Sequence, residues 1–161
     1  MVCRSSVYNE SMDGEQVHIL HVNSESSAET YSGNKPEDFI CKLPQTIVLE
    51  PTGEWYACLR QCSFGFPFTQ SPLYVCCDVC SDVITGERKL PALRVVHSKT
   101  GSFYDSCLYV PIKATYLDRL RFYVLRTADF KKPRSGKTTS EKPVKPTHFT
   151  LELKRLSKES R

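Results

Sequence analysis

The last patterned stretch of the chain reads His148-Phe149-Thr150-Leu151-Glu152-Leu153-Lys154, with apolar and polar residues in strict alternation. Successive side chains of a β-strand point to opposite faces of a sheet, so this period of two predicts a strand with one buried face and one solvated face. The same period returns in Leu117–Leu125, shortly before it in the sequence. Two such stretches near the end of the chain already favour antiparallel β structure.

Similar stretches, rich in β-branched and aromatic residues, occur along almost the whole chain. Besides the two above, the predicted strands are Val17–Val22, Phe39–Leu43 (ended by Pro44), Thr46–Leu49, Glu54–Phe64, Leu73–Cys80, Leu90–Val96 and Cys107–Ile112. Helical periodicity is weak, with room for one turn of helix at Lys113–Arg119. The sequence therefore predicts an all-β sandwich or jelly roll of about eight antiparallel strands.

The length of 161 residues suits one domain. Residues 17–155 are predicted to form it, between a loose N-terminal arm at 1–16 and a C-terminal tail at 156–161. Residues 127–147 are rich in Lys, Pro, Ser and Thr, and have only Phe130 and Val144 as sizeable apolar residues. Such a stretch buries too little apolar surface to offset its ordering entropy, which predicts a flexible insertion within the domain.

The charge of the chain is unevenly distributed. Residues 1–125 hold 11 Lys and Arg against 14 Asp and Glu, a net −3, whereas residues 126–161 hold 11 against 4, a net +7. The insertion could meet an acidic protein or, without sequence preference, nucleic acid, although a simply solvated segment fits equally well. Aromatic residues for base stacking are missing apart from Phe130. The candidate contact residues are Lys131, Lys132, Arg134, Lys137, Lys142 and Lys145.

The chain has eight cysteines and no recognisable secretory signal, so we expect reduced thiols that pack as small apolar side chains. Cys77 and Cys80 have the C-x-x-C spacing of zinc and redox sites. A structural zinc site needs a second pair of ligands, which the sequence lacks, and strand alternation would place these two thiols on opposite faces. A metal site here is therefore the weaker alternative to buried thiols, and no cofactor is expected.

No pattern of catalytic residues emerges, so we expect no enzyme. Arg134-Ser135-Gly136-Lys137-Thr138 ends like a phosphate-binding loop, but Lys131 stands where the first glycine is required. His18 and His21 lie three apart, which directs them to opposite faces of a strand. No apolar run approaches the roughly 20 residues that span a bilayer, so no membrane association is expected either.

Several stretches, taken in order, resemble one protein family. The chain is similar to the penton-type minor capsid proteins of Polinton/Maverick elements and of related adenovirus-like animal viruses (adintoviruses and adomaviruses). The resemblance covers roughly residues 17–154. This chain differs from the family in its high cysteine content and in its long basic insertion. The stretches that carry it are Asn34–Phe39, Leu43-Pro44, Gly53–Leu59, Leu73–Val79, Leu90–Arg94, Tyr109–Ile112, Leu120–Val124 and Thr150–Leu153.

The resemblance implies a single jelly roll that forms homopentamers at the five-fold vertices of a virion. Its expected partner is the double-jelly-roll major capsid protein, with fibre or genome contacted through the basic insertion and assembly in the host cell nucleus. Two alternatives remain open: a trimeric binding module similar to tumour necrosis factor, and a nonspecific nucleic-acid-binding protein. The trimeric module would need export and disulfides, and the nucleic-acid binder would show steep salt dependence.

Overall fold

A computed structural model describes residues 16–66, 72–97, 102–126 and 145–156. In these ranges all regular elements are strands, which confirms the predicted all-β fold. The strands are β1 (Val17–Asn23), β2 (Asp38–Val48), β3 (Glu54–Ser63), β4 (Leu73–Cys77), β5 (Val83–Thr85), β6 (Arg88–Leu90), β7 (Ala92–Val96), β8 (Ser102–Phe103), β9 (Val110–Pro111), β10 (Tyr116–Arg126) and β11 (His148–Leu156).

Two antiparallel sheets make up the sandwich. Sheet A has the order β1-β11-β3-β8, and β9 pairs with β3 on the same side as β8. Sheet B has the order β2-β10-β4-β7. Because β8 and β9 together occupy one position beside β3, the two sheets contain eight strand positions, the predicted number. The short strands β5 and β6 form a separate hairpin.

Most consecutive strands of the sandwich lie in different sheets; the exceptions are β4 and β7 in sheet B, and β8 and β9, which share one position in sheet A. The chain passes from β1 in sheet A to β2 in sheet B, back to β3 in sheet A, and on to β4 in sheet B. Near the C-terminus, β10 lies between β2 and β4, and β11 lies between β1 and β3. Both sheets are therefore completed by strands that are distant in sequence.

Alternating apolar residues of both sheets meet in one core. The centre is formed by Phe39 of β2, Phe122 of β10 and Phe149 of β11, whose ring centroids lie 5.4–5.8 Å apart. All three side chains are almost fully buried. Because these rings come from both sheets, they hold the two layers of the sandwich together.

β2 is longer than the sequence predicted. The expected strand ended at Pro44, but β2 continues through this residue to Val48. β2 is an edge strand, and its ladder with β10 is interrupted between the pairs Arg119↔Lys42 and Leu117↔Ile47. Pro44 falls in this interruption, where the missing backbone N–H breaks no ladder hydrogen bond.

β3 contains an irregularity that changes which residues face the core. Thr150 pairs with Gln61 and Leu151 with Leu59, so Arg60 is an extra residue on β3. Up to Leu59 every second residue of β3 faces the core. After the extra residue, the next side chain to face the core is that of Cys62, which is fully buried. As a result Arg60 is left on the outer face of sheet A.

The predicted turn of helix before β10 is absent, since residues 113–115 are irregular and Tyr116 already begins the strand. Of the insertion predicted at 127–147, residues 127–144 lie outside the described residues, and residues 145–147 are described. Thr147 belongs to the folded domain. Its side chain is fully buried, and its backbone exchanges two hydrogen bonds of 3.0 Å with Ser24. Residues 1–15 and 157–161, predicted as most of the arm and the tail, also lie outside.

Candidate interaction surfaces and thiol sites

The two cysteines of the C-x-x-C sequence come together in the core. β4 ends at Cys77, and a turn follows in which the N–H of Cys80 donates to the carbonyl of Cys77 at 3.1 Å. Both side chains are fully buried. The prediction that they point to opposite faces was wrong because it extended strand alternation through residues that form a turn.

The pair behaves as packed thiols in the interior. Burial, and after it the hydrogen bond with Cys80, raise the pKa of the Cys77 thiol well above its ordinary value. Without a bound metal ion, a thiol of this kind stays protonated at neutral pH. Among the described residues, no three His, Cys, Asp or Glu side chains converge in a way that could hold a metal ion. Cys77 and Cys80 alone supply half the ligands of a structural zinc site.

Only one of the six basic candidate residues lies in the described part of the chain. Lys145 is exposed, and its carbonyl lies against Gly65 at the end of β3. Lys131, Lys132, Arg134, Lys137 and Lys142 lie outside the described residues. Their role in binding an acidic partner stays a prediction.

The histidines of β1 point to opposite faces, as predicted. His18 faces inward and stacks on Trp55, with ring centroids 5.6 Å apart. Burial there lowers the pKa of His18. His21 is exposed, and its Nδ1 forms a hydrogen bond of 3.1 Å with the hydroxyl of Thr150. His21 also borders an open groove of about 890 Å³, together with Glu25, Glu29, Lys42 and His148.

The sandwich has two lateral sides. On the first, β1 and β2 are the edge strands, and residues 24–37 join them. Hydrogen bonds tie this connection to β2, including one of 2.9 Å from the N–H of Lys42 to the hydroxyl of Ser27. On the second side, β7 edges sheet B while β8 and β9 edge sheet A. The two sides present different strands, so they are chemically distinct.

Exposed apolar residues form two groups. On the outer face of sheet B, Val48 and Tyr116 are directly paired between β2 and β10, and they are 70% and 60% exposed. We call these two residues patch 1. On the second side, Phe103 of β8 and the nearby Leu108 are 64% and 54% exposed. We call these two residues patch 2. Large apolar side chains that face solvent in groups often mark protein interfaces.

A cluster of thiol, charged and phenol groups lies on the outer face of sheet A, beside patch 2. Its two sulfur atoms belong to Cys58 of β3, which is fully buried, and to Cys107, which is partly exposed. The two thiols lie close enough to affect each other's ionisation, and the Cys58 thiol also donates to the carbonyl of Leu59 at 3.7 Å. Burial, followed by the effect of Cys107, raises the pKa of the Cys58 thiol to about 11.

Polar side chains surround this thiol pair. The guanidinium of Arg60 donates from Nη1 to the sulfur of Cys107. Its Nε lies 3.6 Å from the carboxylate of Glu152, which also accepts a hydrogen bond of 2.6 Å from the hydroxyl of Tyr109. Burial and this hydrogen bond raise the pKa of Tyr109. The sequence contained no signal for the cluster, because Cys58 and Cys107 are far apart in sequence and meet only when residues 104–109 cross β3.

Comparison with models of known protein families and with curated protein sequences gave no match. Within the described ranges, no helix is present that has the length and hydrophobicity needed to cross a bilayer.

Proposed function

We propose that the chain is a structural subunit that closes into a homopentamer at the vertices of a viral capsid, where it would contact a double-jelly-roll major capsid protein. The observation that carries the proposal is the strand order, β1-β11-β3-β8 in one sheet and β2-β10-β4-β7 in the other. Apart from β4 and β7, which are neighbours in sheet B, consecutive strand positions lie in different sheets. This order supports the expected jelly roll, an architecture used by capsid proteins. The sequence resemblance to penton-type proteins supports the same assignment.

The distribution of exposed apolar residues supports a ring. A cyclic assembly other than a dimer uses a heterologous interface, in which one surface of a subunit meets a different surface of the next. Patch 1 lies on the outer face of sheet B, whereas patch 2 lies on β8 of sheet A and the segment that follows it, so the two patches are different surfaces with different residues. Contact between them would bury four exposed apolar side chains per interface.

The first test is the mass of the purified chain in solution, measured by light scattering in the presence of reductant. We expect a mass five times that of the monomer. A three-fold mass would favour the trimeric binding module instead. If the chain alone is monomeric, co-expression with the major capsid protein must give five-fold vertices that contain it, and particles that assemble without the chain would refute the proposal.

Two charged substitutions separate a heterologous ring from a symmetric interface. Val48→Asp disables patch 1 and Phe103→Asp disables patch 2, so each variant alone should fail to form rings. Mixed in equal amounts, the two variants keep one intact patch each and should form a complex of two chains that cannot grow further. Ile84→Asp is the matched control, because Ile84 is 79% exposed in the β5–β6 hairpin, outside both patches. It should retain the parent mass.

A further inference from the structure

Two pairs of neighbouring thiols interact in the described part of the chain, but only one of the pairs can be reached from solvent. Cys77 and Cys80 are both fully buried between the sheets. Cys58 is also fully buried, but its partner Cys107 is partly exposed on the outer face of sheet A. The second pair therefore has one sulfur that a dissolved reagent can reach and one that only its neighbour can reach.

The surroundings of Cys107 suit a sulfur that attacks a disulfide. The sulfur is accessible, and a cationic side chain beside it can stabilise the negative charge that a reacting sulfur carries. The guanidinium of Arg60 donates directly to the sulfur of Cys107, and Glu152 holds the same guanidinium from its other side at 3.6 Å. Arg60 has this position because it is the extra residue of the β3 irregularity.

We propose that Cys107 and Cys58 form a thiol–disulfide exchange site that reacts with small disulfides of the glutathione type. The thiolate of Cys107 attacks one sulfur of the small disulfide, whose S–S bond breaks and releases one small thiolate. A mixed disulfide remains on Cys107. Cys58 then loses its proton and attacks the Cys107 sulfur, which expels the second small thiolate. Overall two protein thiols are oxidised to one disulfide, and the small disulfide is reduced to two thiols that take up both protons.

The chemistry assigns different roles to the two cysteines. Cys107 is the attacking residue because it is accessible and contacts the guanidinium. Cys58 is the resolving residue because it is buried beside Cys107. Its raised pKa keeps the fraction of thiolate low, but its high effective concentration at the mixed disulfide compensates for this. The resulting bond would tie residues 104–109 to β3, next to Phe103. The proposal does not depend on the capsid assignment.

The test uses the whole reduced chain, incubated with oxidised glutathione, quenched in acid, alkylated and digested with trypsin. Trypsin places the two cysteines in separate peptides, residues 43–60 and residues 100–113, each of which contains no other cysteine. We expect these peptides to be joined by a disulfide and the intact chain to lose the mass of two hydrogens. No cross-link should involve Cys77 or Cys80, which form the internal control.

Single substitutions test the roles. Cys58→Ser should trap one glutathione on Cys107, and Cys58→Ala should do the same if the serine variant does not fold. Cys107→Ser should leave Cys58 unmodified. Arg60→Gln should slow the modification of Cys107 several-fold while the unfolding midpoint of the chain changes little. The proposal is overturned if folded parent protein leaves Cys107 unmodified, if glutathione does not accumulate on Cys107 in either Cys58 variant, or if the cross-link joins two chains.

Discussion

Replacing Phe122 by alanine should cost the sandwich a large part of its stability. The ring is 0% exposed and contacts the rings of Phe39 and Phe149, at centroid distances of 5.4 and 5.5 Å. Removal of a buried phenylalanine ring costs about 3–5 kcal/mol, which includes the cavity left behind. Each aromatic pair adds about 0.5–1.5 kcal/mol beyond the buried area, so we expect a loss near the top of this range, about 4–5 kcal/mol.

Urea unfolding in the presence of reductant measures this loss. Trp55 is the only tryptophan of the chain and is buried, so its fluorescence reports unfolding of the sandwich. Phe122 lies on β10 in sheet B, whereas Trp55 lies on β3 in sheet A. The fluorescent residue is therefore not among the rings that Phe122 contacts. With a slope of about 2 kcal/mol per molar urea, the midpoint should fall by about 2 M.

Ile84→Ala is the control, because it removes a large apolar side chain at a position that is 79% exposed and lies outside both patches. Substitutions at such surface positions usually change stability by no more than about 0.5 kcal/mol. A loss below about 2 kcal/mol for Phe122→Ala, the lower limit for removing a large side chain from a packed core, would refute the aromatic core described above. Equal losses for the two variants would show that the burial of Phe122 does not account for its effect.

Three further substitutions and one control probe other parts of the structure. Gly65→Ala should destabilise by about 1–3 kcal/mol, because the added methyl group meets the backbone carbonyl of Lys145. Gly33→Ala, which has open space around it, should change the urea midpoint little. His18→Phe should remove a pH dependence of unfolding. Because burial lowers the pKa of His18 from 6.5, the parent is more stable above that pH and loses this contribution as the pH falls below it; equal pH profiles would contradict this. Arg121→Gln breaks an exposed ion pair with Asp38 of 2.8 Å, and a loss above about 1 kcal/mol in the same assay would be unexpected.

The strands were largely predictable because their burial follows the alternation in the sequence. In β11 the buried residues are Phe149, Leu151 and Leu153, the apolar residues of the opening stretch. Where the alternation predicted wrongly, the backbone departs from a regular strand. Pro44 did not end β2 because it falls in an interruption of an edge ladder, and Cys77 and Cys80 meet because β4 gives way to a turn between them. Such local departures depend on the pairing partner, which a single stretch of sequence does not contain.

The candidate sites were less predictable than the strands, since they are made by residues that meet only after folding. Patch 1 combines Val48 with Tyr116, and the thiol cluster combines β3 with the crossing at Cys107. Nothing in the spacing of these residues indicates their contact. The basic insertion was evident in the sequence, but Lys145 alone of its candidate residues is placed by the described structure.

The positions of the cysteines separate two reasons for their abundance. Cys41, Cys62 and Cys80 lie in the core between the sheets, where a thiol fills the space of a small apolar side chain and could be exchanged for alanine or valine at modest cost. Cys58 is different, because it is buried on the outer face of a sheet by the segment that carries Cys107. If cysteines served only as small apolar residues, nothing would require the sulfurs of Cys58 and Cys107 to lie together beside the guanidinium of Arg60.

The two kinds of cysteine should respond differently to substitution. Cys62→Ala should lower stability without changing the reaction of the chain with glutathione disulfide. Cys107→Ala should abolish that reaction with little effect on the urea midpoint. If Cys62→Ala abolished the reaction instead, or Cys107→Ala lowered only the stability, the distinction between packed and reactive thiols would be wrong.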